Sequence, residues 1–529
     1  MLFSAVTASW TLSEKTLDNH ECLVSVTARE MLESSDWVWP TYNGEPRLHK
    51  TPLSYWMVAG LAKITGKVDE FTARMPNVIF AVLSIAAILY FVNQWLSFRI
   101  AVLSAAVWAT SLGYIRYSHN ARPEMVLTFF IAMCFLSFYS AITTRSRKRQ
   151  VAYMLVFWTS FGVANLAKGP APLPLVLMPL FFYVAVFRQW KQIPKLLPVI
   201  GTVVFLAIVL PWPLAIAHRL NWDLGVWKRE FVDRFLGSYA RGDYPLYYYL
   251  LIMFKYITPW VAFLPMALAA PFYRVWNKKQ PAMKFLWLWF VVGLAFFTIS
   301  GGKRQHYILP LMPAMAILIG ILIEDMAFVR NAFTLKQAKG ILRNHIVVII
   351  AGTIALPIYI AATNSQLLAD GIILSITTIA ITAAVTILFA KRKRAFACGT
   401  VFAGIAILIM ISYVSFINPL EKDRYSKDFA QKIAKTVPQN DRLIAYEFVS
   451  PKSVQYFGRV ILETDDRTVL YEHYERGDWV LATAGHLEKL TQNGRFRKVY
   501  YTEKAERRKD GDAPGALFHK SAPKVKDGL

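Results

Sequence analysis

GIILSITTIAITAAVTILFAKRKR, residues 371–394, decides the class of this chain. The first part runs for about 20 residues without a charge, the length a helix needs to cross the hydrocarbon core of a bilayer. The basic run Lys391, Arg392, Lys393 and Arg394 follows at once. Lys and Arg gather where membrane helices end in the cytoplasm, so these four residues give both a span and its direction.

The same reading extends outward in both directions. Apolar runs recur near 76–94, 100–117, 123–142, 151–166, 170–187, 197–217, 255–272, 284–300, 307–326, 346–362 and 395–414, giving about twelve spans in all. Basic clusters follow alternate spans: Arg145 to Arg149, Arg188 to Lys195, Arg274 to Lys284 and Arg330 to Arg343. All fall on the side of Lys391 to Arg394, which the positive-inside rule assigns to the cytoplasm. Residues 1–75 and everything after about 415 are then expected outside. With an even count the N-terminal loop has no helix to carry it across, because MLFSAVTASWTL is too short to span. A thirteenth span ahead of this loop is therefore expected.

Composition agrees with this class. The chain has 529 residues, 55% hydrophobic and only 18% charged. Its net charge of +25 sits in short clusters between apolar runs, a loop pattern rather than a nucleic-acid surface. Three cysteines, Cys22, Cys134 and Cys398, cannot build a disulfide framework. Four segments result: an outer catalytic loop with interfacial helices (1–75), a transmembrane helical domain (76–415), a small outer α/β domain (416–500) and a disordered tail (501–529). The α/β reading rests on short apolar stretches, LIAYEFV, VILETD, WVLAT and VYYT, around a helical pattern at 426–435. The tail is charged and rich in Gly, Pro and Lys.

Polar groups on the outer side are the functional signal. NGEPRLHKTPLSYW, residues 43–56, carries His49, Lys50 and Tyr55, and LDNHECLVSVTAREML, residues 17–32, carries Asp18, His20 and Glu21. Short outer loops add RYSHNARPE with His119, Arg122 and Glu124, NLAKGPAP with Lys168, and SGGKRQHYILP with Lys303, Arg304 and His306. One cation at a span end ordinarily snorkels to the lipid headgroups. Several loops presenting cations on the side where positive-inside gives no reason for them point to a shared anion, and phosphate suits Arg and Lys. No GxxxxGK[ST] loop and no GxGxxG after a strand is present, so the phosphate is expected to belong to a lipid rather than a nucleotide. Asp18 and Glu21 are three apart and can share a helical face as a general base, or they can cap the helix that follows. His49, His20, Glu124 and Asp243 are candidate metal ligands without a tight spacing motif.

In order, the acid pair, REML, DWVWPTYNGEPRLHKTPLSYW, Arg122 with Glu124, LAKGP, YPLYYYL and KRQHYILPLMPAMA resemble the bacterial aminoarabinose transferase and protein O-mannosyltransferase superfamily. The resemblance covers residues 17 to about 325 and extends to the C-terminal α/β domain. It implies a GT-C membrane fold of thirteen spans in the bacterial inner membrane, with its catalytic face and C-terminus periplasmic. It also implies an inverting glycosyltransferase that takes a sugar from a polyprenyl-phosphate donor to a lipid, glycan or protein hydroxyl. Carried over by position, Lys50, Arg122, Lys168, Lys303, Arg304 and Tyr55 would hold the donor phosphate, and Glu124, His119 and His306 would lie near the acceptor or a metal. The family's first acid falls on His20, leaving Asp18 or Glu21 as base. Its Glu-Lys-Pro-Pro becomes His49, Lys50, Thr51 and Pro52. A divalent ion (Zn, Mg or Mn) on His49 and Asp243, with ligand types exchanged, is the candidate cofactor. The partners implied are the lipid-linked sugar, membrane lipids and the acceptor, with no nucleic acid. A sugar-lipid carrier or an inactive relative would need the same cations without the base.

Overall fold

The computed structural model describes residues 2–223, 225–228, 244–329, 335–363, 367–417, 424–483, 490, 496–501 and 514–521. The chain divides into two compact units. One is Met1–Leu12, Leu48–Ser54 and Arg74–Asn418, and the other Ser13–Arg47, Tyr55–Ala73 and Pro419–Leu529.

The first unit is helical. Among the described residues, seven helices are long and apolar enough to cross a membrane: Glu70–Trp95, Glu124–Thr143, Arg147–Lys168, Gln280–Ile299, Gln305–Val329, Leu368–Ala390 and Arg394–Ser415. The protein is thus a polytopic helical membrane protein. Three more apolar stretches are bent pairs rather than the straight spans expected from hydropathy, at 62° between Phe98–Ala109 and Leu112–Ser118, 50° between Trp190–Leu196 and Pro198–Val209, and 117° between Tyr248–Ile257 and Trp260–Phe272. Each break has a local reason. Thr110 and Ser111 turn their hydroxyls back onto Ala106 O and Val107 O, and Pro198 and Pro259 lack the N–H that would continue a helix. Pro211 likewise divides the run expected at 197–217. Pro172–Val186 and Ile349–Ala362 are shorter apolar helices.

Met312–Glu324 is buried along its whole length. It lies so close to Phe98–Ala109 that a Cβ on Gly320 would stand 2.7 Å from the Ser104 backbone nitrogen, a small-residue contact of the kind that lets membrane helices pack. Phe135 stacks on Trp289 at 4.4 Å. Large apolar side chains such as Phe181, Ile376 and Phe396 face outward, the inverse of a soluble surface and natural beside lipid.

The second unit joins the N-terminal loop to the C-terminal segment, which the sequence reading had kept apart. Five strands run in the order Leu462–Thr464, Leu443–Tyr446, Trp479–Thr483, Pro514–Phe518 and Lys498–Tyr501. The first three are parallel and the last two antiparallel additions. Leu443 and Ala445 face one core with Phe429, Val454, Trp479 and Leu517, while Ile444 and Tyr446 face another with Leu470, Val480 and Phe518. Period-two alternation between two covered faces makes the strand apolar throughout. Val26 of the helix Asn19–Ser34 enters the first of these cores. The tail read as disordered corrects to a strand at 514–518, since Ala516, Leu517 and Phe518 are fully buried. Its neighbours hid it: a short apolar stretch amid Gly, Pro and Lys gives no periodic signal until a sheet partner is known.

Candidate active site

Glu124 opens the helix Glu124–Thr143, directly after Pro123. Lys168 closes the helix Arg147–Lys168, which Gly169 ends with φ +65. The two helices are antiparallel neighbours, so an acid at an N-terminus and a cation at a C-terminus meet, each favoured by its helix dipole. Lys168 Nζ lies 2.7 Å from Glu124 Oε1, and His306 Nε2 lies 3.4 Å from the same oxygen. Glu124 is 3% exposed, and its Oε2 has no hydrogen-bond partner among the described residues. A buried carboxylate with one oxygen committed and the other unsatisfied is costly, and such groups gather where a ligand completes them.

The loop carrying His306 is clipped in place. Lys303 Nζ donates to Tyr244 O and Pro245 O at 3.2 and 3.3 Å, and Arg304 N donates to Tyr249 Oη at 3.1 Å. Lys303 is buried, whereas the Arg304 side chain is exposed. Asn77 Nδ2 donates to Arg122 O at 2.5 Å and also to Asn120 O. The His119 ring stacks on Tyr413 at 4.5 Å, with Nδ1 2.9 Å from Ile115 O. His49 and Lys50 are half-buried and belong to this same helical unit.

In the second unit, Asp18 is the N-cap of Asn19–Ser34. Its Oδ1 accepts from His20 N and Glu21 N at 2.8 and 2.9 Å, and Glu21 Oε2 accepts from Asp18 N at 2.8 Å. That is a capping box, with D-x-x-E where Ser or Thr more often leads. Glu21 is 1% exposed, Asp18 half-buried and His20 exposed. Tyr55 is buried and accepts from Arg47 Nε at 3.0 Å.

A family model described as dolichyl-phosphate-mannose-protein mannosyltransferase matches residues 49–214. An undecaprenyl phosphate-alpha-4-amino-4-deoxy-L-arabinose arabinosyl transferase of Pseudomonas paraeruginosa is 29% identical over 298 residues, 55% of this chain and 53% of the relative. A protein of Aquifex aeolicus is 30% identical over 347 residues, 64% of this chain and 65% of its own. The chain spans about half the length of the arabinosyl transferases it matches. ArnT from Cupriavidus metallidurans, in a crystal structure bound to undecaprenyl phosphate, superposes with a TM-score of 0.84 at 18% identity, covering 98% of this chain and 97% of that one. The chain has the fold of ArnT. An oligosaccharyltransferase from Archaeoglobus fulgidus, at TM-score 0.52 and 10% identity, covers 92% of this chain and 69% of its own, a more distant likeness.

The residues singled out from sequence fall into two groups. Glu124, Lys168 and His306 are brought together, and so are Asp18, His20 and Glu21. Asp243 lies outside the described residues, and no group of three metal-ligating side chains gathers among those described. The expected His49–Asp243 pair thus falls partly outside the described residues. Sequence reading missed Glu30, which is 6% exposed and accepts from Thr41 Oγ1 at 2.6 Å and Asn43 N at 2.7 Å. It fixes the hairpin Thr41–Pro46 that leads into His49 and Lys50. Its signal is the REML motif, which carries the resemblance without giving Glu30 a role.

Proposed function

We propose that this protein is an inverting glycosyltransferase that moves a sugar from a polyprenyl-phosphate donor to a hydroxyl of a lipid, glycan or protein, at the periplasmic face of a bacterial inner membrane. The observation that carries the reading is the buried Glu124 carboxylate, bonded through one oxygen to Lys168, with His306 3.4 Å from that same oxygen, and unpartnered at the other among the described residues. The ArnT likeness supports the donor class, because that structure holds undecaprenyl phosphate. The superfamily resemblance of Lys50, Arg122 and Lys168 supports them as the cations on the donor phosphate.

The acceptor oxygen attacks the anomeric carbon as the bond from that carbon to the phosphate oxygen breaks, and polyprenyl phosphate leaves. Negative charge grows on the leaving phosphate, where preorganised cations in a water-poor site lower the barrier. Asp18 is the better base for the acceptor proton. Glu21 is fully buried and holds the Asp18 N–H, while Asp18 is half-buried and its position is fixed by the cap. One displacement inverts the anomeric centre. NMR of the product formed by purified protein from an undecaprenyl-phosphate sugar tests this: inversion, with turnover lost in Lys50→Ala and Asp18→Asn, is expected. A retained anomer, or full turnover in Lys50→Ala, would overturn it.

A further inference from the structure

We propose that Tyr456 is a positioning residue for the reaction: its hydroxyl holds the backbone N–H of Leu17, the residue ahead of Asp18, so the C-terminal α/β segment helps set the catalytic base. The proposal rests on Asp18 acting as that base.

Leu17 is fully buried, and its N–H donates to Tyr456 Oη at 2.8 Å. The Tyr456 hydroxyl donates in turn to Glu70 Oε1 at 3.0 Å, and Lys427 Nζ reaches the same oxygen at 2.5 Å. Lys427 also lies over the Tyr456 ring, 5.2 Å from its centroid. Glu70 is 7% exposed. Two donors, Tyr456 Oη and Lys427 Nζ, thus end on one buried carboxylate, and the bond from Tyr456 to Glu70 polarises the hydroxyl that accepts from Leu17 N. Burial, with the Glu70 carboxylate beside it, pushes the phenol well above its ordinary value, so the hydroxyl keeps the proton that it donates.

The anchor is capped at both ends and tied by hydrogen bonds. Tyr456 lies in the helix Pro451–Phe457, started by the Ser450 cap and closed by Gly458 at φ +83. Arg29, from the helix that Asp18 caps, donates to the helix-end carbonyls Gln455 O and Val454 O at 3.1 and 3.4 Å. Gln455 Nε2 donates to Val68 O at 3.1 Å. This short helix therefore grips both sides of the turn that presents the acid. Leu17 precedes the cap residue directly, so holding its backbone N–H restrains the chain from which the Asp18 carboxylate projects. A catalytic group must be held to a fraction of an ångström, and a shift of about 1 Å can cost about a hundredfold in rate.

The test uses the full chain in detergent with a panel of polyprenyl-phosphate sugars as donors, membrane extract as the source of acceptor and released polyprenyl phosphate as readout. Tyr456→Phe keeps the ring in its seat and removes the hydroxyl. We expect kcat to fall about tenfold, with the donor KM within about twofold of the parent, the pattern of an interaction felt in the transition state. In an Asp18→Asn background, Tyr456→Phe should cost nothing further, since a positioning residue has nothing left to position. Lys427→Met, which leaves the hydroxyl in place, should show a smaller loss with the same non-additivity and guards against misfolding of the first variant. Lys520→Ala, at an exposed pair in the same unit, should match the parent. Unchanged kcat in Tyr456→Phe, or a full independent loss on top of Asp18→Asn, would overturn the inference while leaving the transferase reading intact. No release by the parent protein from any donor of the panel would overturn both.

Discussion

Replacing Lys168 by Met separates the structural and the catalytic work of the Glu124 cluster. The ammonium lies 2.7 Å from a carboxylate whose side chain is 5% exposed, while Lys168 itself is 23% exposed. At an effective dielectric near 20 the gross attraction over that distance is about 6 kcal/mol, much of it offset by desolvation. Removing one partner strands a buried charge, which costs about 3 to 5 kcal/mol in fully buried pairs. The partial exposure of Lys168 and the remaining His306 contact place the expected stability loss near the bottom of that range, about 3 kcal/mol. If Lys168 also faces the leaving phosphate, turnover should fall about a hundredfold or more, as when one preorganised donor is removed from an oxyanion site. Adding Glu124→Gln to Lys168→Met removes the stranded charge, so stability should return toward the parent while turnover does not. Thermal unfolding and single-turnover release of polyprenyl phosphate, measured on the same preparations, check both halves. The reasoning is refuted if Lys168→Met unfolds like the parent, or if Glu124→Gln restores turnover together with stability.

Two further substitutions test the packing on which the site depends. Phe518→Ala, in the fully buried strand near the C-terminus, should cost about 3 to 5 kcal/mol and expose the C-terminal segment to limited proteolysis; an unchanged digestion pattern would contradict its place in the sheet. Gly320→Ala drives a methyl against the backbone of Ser104 and should cost about 1 to 3 kcal/mol, read as a lowered thermal midpoint.

The membrane class was legible because uncharged runs and basic clusters are one-dimensional signals, and residues 371–394 carry both. The bends at Ser111 and Pro259 were not, because hydropathy averages over a turn that a single hydroxyl or proline decides. Lys168 and Glu124 could be named separately from their loops, yet their pairing needs two helices to run antiparallel with matched ends. Asp18 and Glu21 were open between base and cap. The structure makes them a capping box, and a cap also fixes a carboxylate in space, so the two readings are compatible. Tyr456 lay out of reach altogether: nothing in VQYFGR announces a hydrogen bond to a peptide 439 positions earlier in the chain.

The central claim is transfer from a lipid phosphate, and the most direct measurement is the stoichiometry of release. Purified protein, given a panel of polyprenyl-phosphate sugars and membrane extract, should release one polyprenyl phosphate for each sugar transferred, and release should cease in Lys50→Ala. Saturable binding of the donors with no release from any of them would contradict the account and make the protein a carrier of lipid-linked sugar or an inactive relative of the transferases.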